Sequence, residues 1–530
     1  MGNAESVVVK KRLARFRPGE LPAVEGVFHR LLGASAAGET ALTLAMLQSS
    51  MGSVAPDSMV RRLYRCMCRI DPAAAGEAAA AASSAVSREQ LVIFLADVLR
   101  GTAEERAPLV VAMSQRGDEA GASVPRERLA EFLQDLISAV VQTLVHRGHL
   151  QAWQPEKMGD QSRGVELLAE QICSELGPSD QAGHDVSSVE DWIFRMSQVS
   201  SYLEMLVAEG LDVSLGGRPA PRLLPPCKET PWRDLTRVLL DVPTLMFLAA
   251  QLPDGCSAPW RLVFSTQLHG ESFARMASGL TKGGGPTLLL VRDAGGHVFG
   301  AFASRGWEVK PQFQGDWRCF LFTVSPRLRV YKATGNNEHY KYLNHGQQTM
   351  PNGLGMGGQH GYFGLWLDSD FGRGHSRARP KCTTYGSPRL SGEEDFSVDS
   401  VEVWAVGRPP APEEDEDGGC RKSVLDADLE VQAMMEMTGK TLHRRGLREP
   451  EEEEEDQGGA SGSRRRTREG PQGAGGGPGR GLREPEEEEE AQRGASGSYV
   501  TCSIRPRGFS FPAFRAAPTS PRRVLLIILE

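Results

Sequence analysis

The segment Thr287-Leu-Leu-Leu-Val291, the turn at Gly295-Gly296 and the segment His297-Val-Phe-Gly-Ala-Phe302 decide the fold of the second half of this chain. Two apolar runs joined by a short glycine turn are typical of neighbouring β-strands. Their valine and aromatic residues also favour a pleated surface over a helix. We therefore predict a β-rich domain around this pair.

The same pattern continues on both sides of the pair. Glycine-rich turns are predicted at residues 283–285, 335–337 and 353–358, and one helix is predicted from Glu271 to Leu280. Several short strands with one helix indicate an α+β domain. The further predicted strands are Arg261–Ser265, Cys319–Val324, Arg329–Tyr331, Tyr362–Leu367 and Ser400–Val406.

The first half of the chain has helical periodicity from Pro18 to about Leu215. A serine followed three residues later by Gln or Glu is a capping box at the start of a helix. Ser87 with Gln90 and Ser187 with Glu190 have this spacing. We therefore expect helices to begin at both places.

The helix–loop–helix rhythm of this half is typical of EF-hands. A calcium loop needs oxygen ligands at alternating positions, whereas Pro72 and three alanines follow Asp71. Units that resemble EF-hands and plain helical hairpins both fit, in either case without calcium. One more apolar helix, interrupted at Pro243, is predicted from Trp232 to Leu252.

Composition restricts the class of protein. A chain of 530 residues implies several domains, and much of its net charge of −8 comes from two glutamate runs near the C-terminus. The folded part is then nearer to neutral, which argues against a nucleic-acid binder. Nine scattered cysteines are typical of an intracellular protein with reduced thiols. No apolar run approaches the roughly 20 residues of a spanning helix, so any membrane contact is expected to be peripheral.

The N-terminus fits the pattern for fatty acylation. Gly2 follows Met1, and Ser6 occupies the position that the acylation pattern requires. One myristoyl chain binds a membrane only marginally, so a second signal is needed. The basic residues Lys10, Lys11, Arg12 and Arg15 are predicted to supply it, at about 1 kcal/mol each near an anionic surface.

Six motifs of the β-rich half resemble the TLDc domain family, in the family's order. They are Leu268-His-Gly-Glu-Ser-Phe273, Val298-Phe-Gly-Ala-Phe302, Gly353-Leu-Gly-Met-Gly-Gly358, Phe363-Gly-Leu-Trp-Leu-Asp368, Cys382-Thr-Thr-Tyr385 and Val401-Glu-Val-Trp-Ala-Val406. The resemblance implies a two-sheet β-sandwich flanked by helices. Together with the N-terminal features, it points to the lysosomal, mTOR-associated members of the family. It then implies a non-enzymatic role in mTOR signalling, at the lysosomal membrane and in the cytoplasm, with contact to the vacuolar proton pump.

The residues predict no catalytic, cofactor or metal site and no small-molecule substrate. Residues 353–358 are not followed by a helix, as a phosphate loop would be. The two histidines beside glycine-rich turns, His345 and His360, are the only ones that suggest a ligand role. The family's link to oxidative damage leaves an alternative, in which Cys319 and Cys382 act as reactive thiols. Direct regulation of the proton pump is a further alternative.

The predicted domain organisation has five parts. They are an acylated basic N-terminus (1–17), an EF-hand-like helical region (18–230), the TLDc domain (231–407), a linker with a short helix at Val424–Met437 (408–445), and a disordered low-complexity tail (446–530) that repeats a 35-residue unit. Lys310, Gln312 and Gln314, near Trp307, are candidate contact residues for a partner.

Overall fold

A computed structural model describes residues 7–33, 41–71, 85–116, 123–177, 183–216, 221–253 and 257–407. Gly2, the predicted helix at 424–437 and the tail from 446 onwards lie outside these residues. Within them, no helix is both long and apolar enough to cross a membrane.

Helices form the N-terminal region of the described chain. Residues 155–157 add one turn of 3₁₀ helix. The α-helices of this region are α1 (Val7–Leu13), α2 (Leu21–Leu32), α3 (Leu44–Met51), α4 (Asp57–Cys68), α5 (Arg88–Arg100), α6 (Ala103–Ser114), α7 (Arg126–His146), α8 (Ser162–Cys173), α9 (Val186–Arg195), α10 (Ser197–Gly210) and α11 (Val242–Gln251).

Four helix–loop–helix units follow one another and are joined in two pairs. An antiparallel bridge between Leu42 and Val86 joins the loop before α3 to the loop before α5. In the second pair, β1 (Ser123–Val124) lies antiparallel to β2 (His184–Asp185), just before α7 and α9. Loops joined by a short antiparallel bridge are the arrangement of EF-hand pairs. The fold therefore favours the EF-hand-like prediction over unconnected hairpins.

Two predicted helix starts have different outcomes. The capping box at Ser87 is confirmed, because the Ser87 hydroxyl accepts from the Gln90 amide and the Gln90 side chain accepts from the Ser87 amide. The box at Ser187 is wrong. The N-cap is Asp185, whose carboxylate accepts from the Ser188 amide at 2.9 Å, so the helix begins earlier. An aspartate is as good a cap as a serine, and it comes first in the chain.

The helix predicted from Trp232 to Leu252 is also shorter than expected. It begins at Val242, with the Asp241 carboxylate accepting from the Thr244 amide and Pro243 in the first turn, where proline lacks only a redundant donor. Residues 232–241 form no helix. Within this segment, Trp232 packs edge-on against Trp153.

The β-rich half is one antiparallel sheet of 11 strands with two short helices, α12 (Thr266–His269) and α13 (Phe273–Lys282). Along the sheet the order is β6-β9-β10-β11-β12-β13-β4-β5-β7-β8, and β3 also pairs with β13. The strands are β3 (Arg261–Ser265), β4 (Thr287–Asp293), β5 (Val298–Ala303), β6 (Lys310–Gln314), β7 (Phe320–Ser325), β8 (Arg329–Lys332), β9 (Lys341–Asn344), β10 (Gly353–Gln359), β11 (Tyr362–Asp368), β12 (Arg373–His375) and β13 (Asp395–Ala405).

The α+β class is confirmed, and the structure shows how its two layers connect. Strand β12 links β11 to β13, so the layers are hydrogen-bonded into one curled sheet rather than two separate ones. Side chains from both layers share one core, which includes Phe299, Leu321, Leu354 and Val401.

The turn predicted at residues 353–358 is wrong, because this segment is strand β10. Its glycines are needed for close packing in the sheet rather than for chain reversal. A Cβ on Gly355 would lie 2.5 Å from the Phe363 ring, and one on Gly353 would lie 2.4 Å from the Trp366 ring. Stacked aromatic rings of β11 therefore occupy the space that side chains on β10 would fill.

Four buried tryptophans join the helical region to the β-rich half. Trp153 contacts Trp232, Trp260 and Trp404, with ring centroids 5.1–6.0 Å apart. The buried carboxylate of Glu402 lies at the same junction, where it accepts from the Leu239 amide at 3.0 Å and from the Trp404 indole at 3.1 Å. The two regions therefore share one continuous core.

Candidate functional site

The turn between β6 and β7 is held by one carboxylate. Asp316 accepts from the Ser304 hydroxyl at 2.7 Å, from Arg305 Nε at 2.9 Å and from Arg318 Nη2 at 2.8 Å. Partial burial alone would raise the pKa of this carboxyl, but the hydrogen bonds from Arg318 and Ser304 hold it well below its usual range. Asp316 is therefore ionised, and it fixes the backbone of the turn.

This turn presents Trp317 to solvent. The indole is 70% exposed, although most large aromatic residues in this half of the chain are buried. The exposed side chains of Arg305 and Arg318 both pair with Asp316, the residue that precedes Trp317. Tryptophan and arginine are the residue types that most often dominate the energy of protein interfaces. A rigid turn that presents both has the chemistry of a docking anchor.

Beneath the turn, a buried lysine supports the same backbone. Lys341 is 1% exposed, and its ammonium donates to the carbonyls of Arg305 and Gly306 at 2.6 Å. It also lies 4.7 Å from the ring centre of Trp307, a cation–π contact. Burial lowers the pKa of Lys341 to about 8. The side chain therefore ties β9 to the loop between β5 and β6.

The three predicted contact residues lie on β6, next to this turn. Gln312 is exposed, and Lys310 pairs with Glu308 at 2.8 Å. Gln314 is engaged internally, since its amide group bonds to both backbone groups of Glu308. Sequence reasoning missed Trp317 itself. Its setting in Gly315-Asp-Trp-Arg318, where a turn-forming pair precedes an aromatic residue, is the signal that could have revealed it.

The four basic residues predicted for membrane contact divide into two pairs. Lys10 and Lys11 are exposed on α1. Arg12 forms an ion pair with Asp97 at 2.6 Å, and both Arg12 and Arg15 pair with Glu105. Because two acidic side chains of the protein neutralise these arginines, only the lysines present free charge to an outside surface. The membrane role of α1 stays a prediction.

The N-terminal helix α1 is also part of the folded helical region. Val9 and Leu13 are buried in its core, against α5. Residues 7–13 therefore do not form a separate flexible arm. Gly2 lies outside the described residues, five positions before the helix begins.

The two cysteines considered as reactive thiols are buried. Cys319 is fully buried and lies 3.3 Å from the Ser304 hydroxyl. Burial raises the pKa of Cys382, as it does for Cys66, whose pKa is about 12. A redox thiol needs exposure and a lowered pKa. Both thiols are buried rather than exposed, and the pKa of Cys382 is raised rather than lowered.

The two histidines considered as ligands pack against aromatic rings. His345 lies against Phe273, with ring centroids 5.6 Å apart. His360 contacts Phe313 and Tyr342, and its pKa is lowered by burial and then by His339. In the part of the chain that the structure describes, no three histidine, cysteine, aspartate or glutamate side chains are grouped as metal ligands would be.

Comparisons with known proteins identify the family of this chain. A family model for the TLDc domain matches residues 235–407. The MTOR-associated protein MEAK7 of Danio rerio is 61% identical over 457 residues, which cover 85% of this chain and 99% of the relative. The Homo sapiens protein of the same name is 39% identical over 462 residues, with the same coverage of both chains. The chain belongs to the MEAK7 family of TLDc proteins.

The comparisons confirm the resemblance to the TLDc family. The MEAK7 relatives are named as mTOR-associated proteins, and this name describes an association rather than an enzyme activity. Oxidation resistance protein 1 of Bos taurus is 37% identical over 147 residues, which cover 28% of this chain and 16% of that protein. The similarity to this second group is therefore confined to a domain-sized part of the chain.

Proposed function

We propose that this protein is a non-enzymatic adaptor that supports mTOR signalling at the lysosome, with its TLDc domain as the docking element. The observation that carries the proposal is the rigid turn with exposed Trp317 on a domain of this family. The names of the relatives, which match most of this chain, support the mTOR assignment.

The partner of this turn is a protein surface with an apolar slot between carboxylates. An exposed indole needs an apolar slot to lose its contact with water, and the guanidinium groups of Arg305 and Arg318 need acidic partners. The vacuolar proton pump is the proposed owner of that surface, following the family resemblance. Contact with the pump could have two roles: it supports mTOR signalling, or it regulates the pump itself. Measurements in cells distinguish these alternatives.

Attachment to the cytosolic face of the lysosomal membrane is the second part of the proposal. An acyl chain on Gly2 and the exposed Lys10 and Lys11 would supply the two signals that stable attachment needs. Replacing Gly2 with Ala removes the acylation site, so the protein is expected to move from the membrane fraction to the cytosol. An unchanged distribution in a cell fractionation would contradict the anchor.

The docking test compares two aromatic truncations in a pull-down from detergent-extracted lysosomes. Trp317→Ala is expected to reduce recovery of the pump subunits by at least tenfold, since central interface tryptophans contribute 2 kcal/mol or more. Tyr362→Ala is the matched control, because Tyr362 is 51% exposed in the same domain but lies on β11. Equal recovery with both variants would refute the role of the turn.

The two alternatives give different results in cells that carry Trp317→Ala. If the protein supports signalling, phosphorylation of mTOR substrates falls while lysosomal acidification is unchanged. If it regulates the pump directly, acidification changes first and signalling follows. Measuring lysosomal pH beside substrate phosphorylation distinguishes them.

A thiol-based oxidative function is disfavoured by the environment of the candidate cysteines. Both are buried, and burial raises the pKa of Cys382. Under this proposal, Cys319 and Cys382 are labelled slowly in the folded wild-type protein. Replacing them with Ser affects folding stability but not recovery of the pump subunits. Rapid labelling of either thiol without unfolding would revive the oxidative hypothesis.

A further inference from the structure

An open groove of about 620 Å³ lies in the helical region, between α4, α7 and the residues that follow α6. Its charged lining consists of four arginines against two carboxylates. Among the described residues, the lining includes no aliphatic or aromatic side chain. The lining residues are Arg61, Arg62, Arg65, Arg116, Glu131, Asp135, Ser58 and Gln134.

Both carboxylates of the groove are already neutralised by other groups. Asp135 accepts from Arg62 Nε at 2.5 Å and from the Ser58 hydroxyl at 2.7 Å. Glu131 accepts from Arg116 at 3.0 Å and also pairs with Arg128. These contacts hold both acidic side chains against arginines of the protein. One further arginine of the lining forms no ion pair with either carboxylate.

That arginine is Arg65, which is half-buried. Its Nε donates to the Arg61 carbonyl at 3.3 Å, and within the described ranges no carboxylate pairs with its guanidinium group. Burial, followed by the neighbouring guanidinium groups of Arg62, Arg69 and Arg61, lowers the pKa of Arg65 from its usual value. Arg65 is thus held beside other cations without a carboxylate partner among the described residues.

A second cation, Arg61, can bind an added anion with little loss of stability. Arg61 pairs with Asp57 one turn away, and both side chains are more than half exposed. A solvent-exposed pair of this kind contributes little to stability, so Arg61 can exchange Asp57 for another anion. Arg61 and Arg65 are four residues apart on α4 and therefore point the same way.

We propose that this groove binds a small anion that carries several phosphate groups, held by Arg65 and Arg61. Guanidinium groups match phosphate geometry with two parallel hydrogen bonds, which favours arginine over lysine at positions 61 and 65. The volume is in the range of small-molecule sites. A phosphorylated peptide fits less well, because the polar lining offers no slot for its apolar side chains. The site goes beyond the docking role of the TLDc domain.

Two sources share this ligand chemistry: a soluble inositol polyphosphate and the headgroup of a phosphorylated inositol lipid. The experiment uses the full-length protein in three arms. Inositol hexakisphosphate is titrated by calorimetry at physiological ionic strength. Vesicles of phosphatidylcholine with a phosphatidylinositol phosphate are compared by flotation with vesicles of equal surface charge that contain phosphatidylserine instead. A phosphoserine peptide forms the third arm.

Arg65→Gln is expected to weaken binding of inositol hexakisphosphate at least about tenfold, because it removes charge-assisted hydrogen bonds. Arg379→Gln is the matched control, since Arg379 is 64% exposed, pairs with Glu394 and lies in the β-rich half. Arg65→Lys keeps the positive charge but loses the planar guanidinium group that donates two parallel hydrogen bonds, so an intermediate affinity is expected. A thermal melt of each variant verifies that it is folded.

The outcomes separate the sources and the proposal. Loss of both calorimetric binding and inositol-lipid flotation in Arg65→Gln assigns a lipid headgroup, whereas loss of calorimetric binding alone assigns a soluble ligand. The proposal is overturned if inositol hexakisphosphate does not bind saturably. It is also overturned if Arg379→Gln weakens binding as much as Arg65→Gln, or if the phosphoserine peptide binds more tightly than inositol hexakisphosphate.

Discussion

Two arginine clusters of the helical region have similar residues and opposite environments. Arg12 on α1 and Arg15 just after it pair with Asp97 and Glu105, so their charges are neutralised within the fold. Arg61 and Arg65 on α4 line a groove whose carboxylates pair with other arginines. The comparison shows that a basic sequence motif does not indicate an external partner by itself. The position of the acidic side chains in the folded chain decides that.

The largest expected effect breaks the first cluster. Replacing Asp97 with Ala removes the 2.6 Å partner of Arg12 and leaves Glu105 as the acidic partner that Arg12 and Arg15 must share. Removal of one member of a largely buried ion pair is expected to lower the free energy of unfolding by about 3 kcal/mol. Urea unfolding of the full-length protein measures it.

Arg65→Gln provides the contrast for this experiment. It removes a like charge from a crowded site and is expected to change the free energy of unfolding by less than about 0.5 kcal/mol. The comparison fails if the two variants are equally destabilised, since Arg65 would then have a structural role. A double-mutant cycle of Asp97→Ala with Arg12→Ala isolates the pair energy.

A second prediction concerns the buried carboxylate of Glu402, which accepts hydrogen bonds from the Leu239 amide and the Trp404 indole. Burial raises the pKa of Glu402 to about 7. The folded state keeps this proton up to about pH 7, whereas the unfolded state releases it near its ordinary pKa of about 4.5. The stabilisation from the bound proton is therefore complete below pH 4.5 and is lost as the pH rises to 7. The expected loss is up to about 3 kcal/mol.

Glu402→Gln carries no titrating proton and should flatten this part of the stability–pH curve. Urea unfolding at intervals from pH 4.5 to 8 measures the difference between the two proteins. Glu175→Gln is the control, because Glu175 is exposed and ought to leave the slope unchanged. If the wild-type and Glu402→Gln curves ran parallel, the Glu402 carboxylate would be ionised in the folded protein throughout.

The sequence predicted those features of the fold that depend on neighbouring residues. The strand pair around Gly295-Gly296 forms β4 and β5, and the Ser87 capping box starts α5, because each depends on a few adjacent residues. Strand β10 was missed because its glycines disfavour a strand locally. Only the distant rings of Phe363 and Trp366 explain why they are needed.

The candidate sites were harder to predict for the same reason. Arg15 and Glu105 are 90 positions apart, so nothing near Arg15 reveals that its charge is neutralised. Trp307 and Trp317 are ten residues apart in similar surroundings. The first is buried in the core of the sheet, where its indole donates to Thr287 Oγ1, and the second is exposed in the turn that Asp316 holds. Exposure is a property of the fold, not of the residue type.

The smallest expected effect concerns how the basic residues around the first cluster bind a membrane. In the acylated protein, Lys10→Gln and Lys11→Gln are each expected to weaken binding to phosphatidylserine vesicles about fivefold, since a basic residue near an anionic surface contributes about 1 kcal/mol. Arg12→Gln is expected to change vesicle binding by less than twofold, because Asp97 and Glu105 already neutralise this side chain. It should instead lower the melting temperature, which the lysine variants leave unchanged. If Arg12→Gln reduced flotation as much as the lysine variants, at an unaltered melting temperature, α1 would have to leave α5 at the membrane, and the ion pairs would describe only the unbound protein.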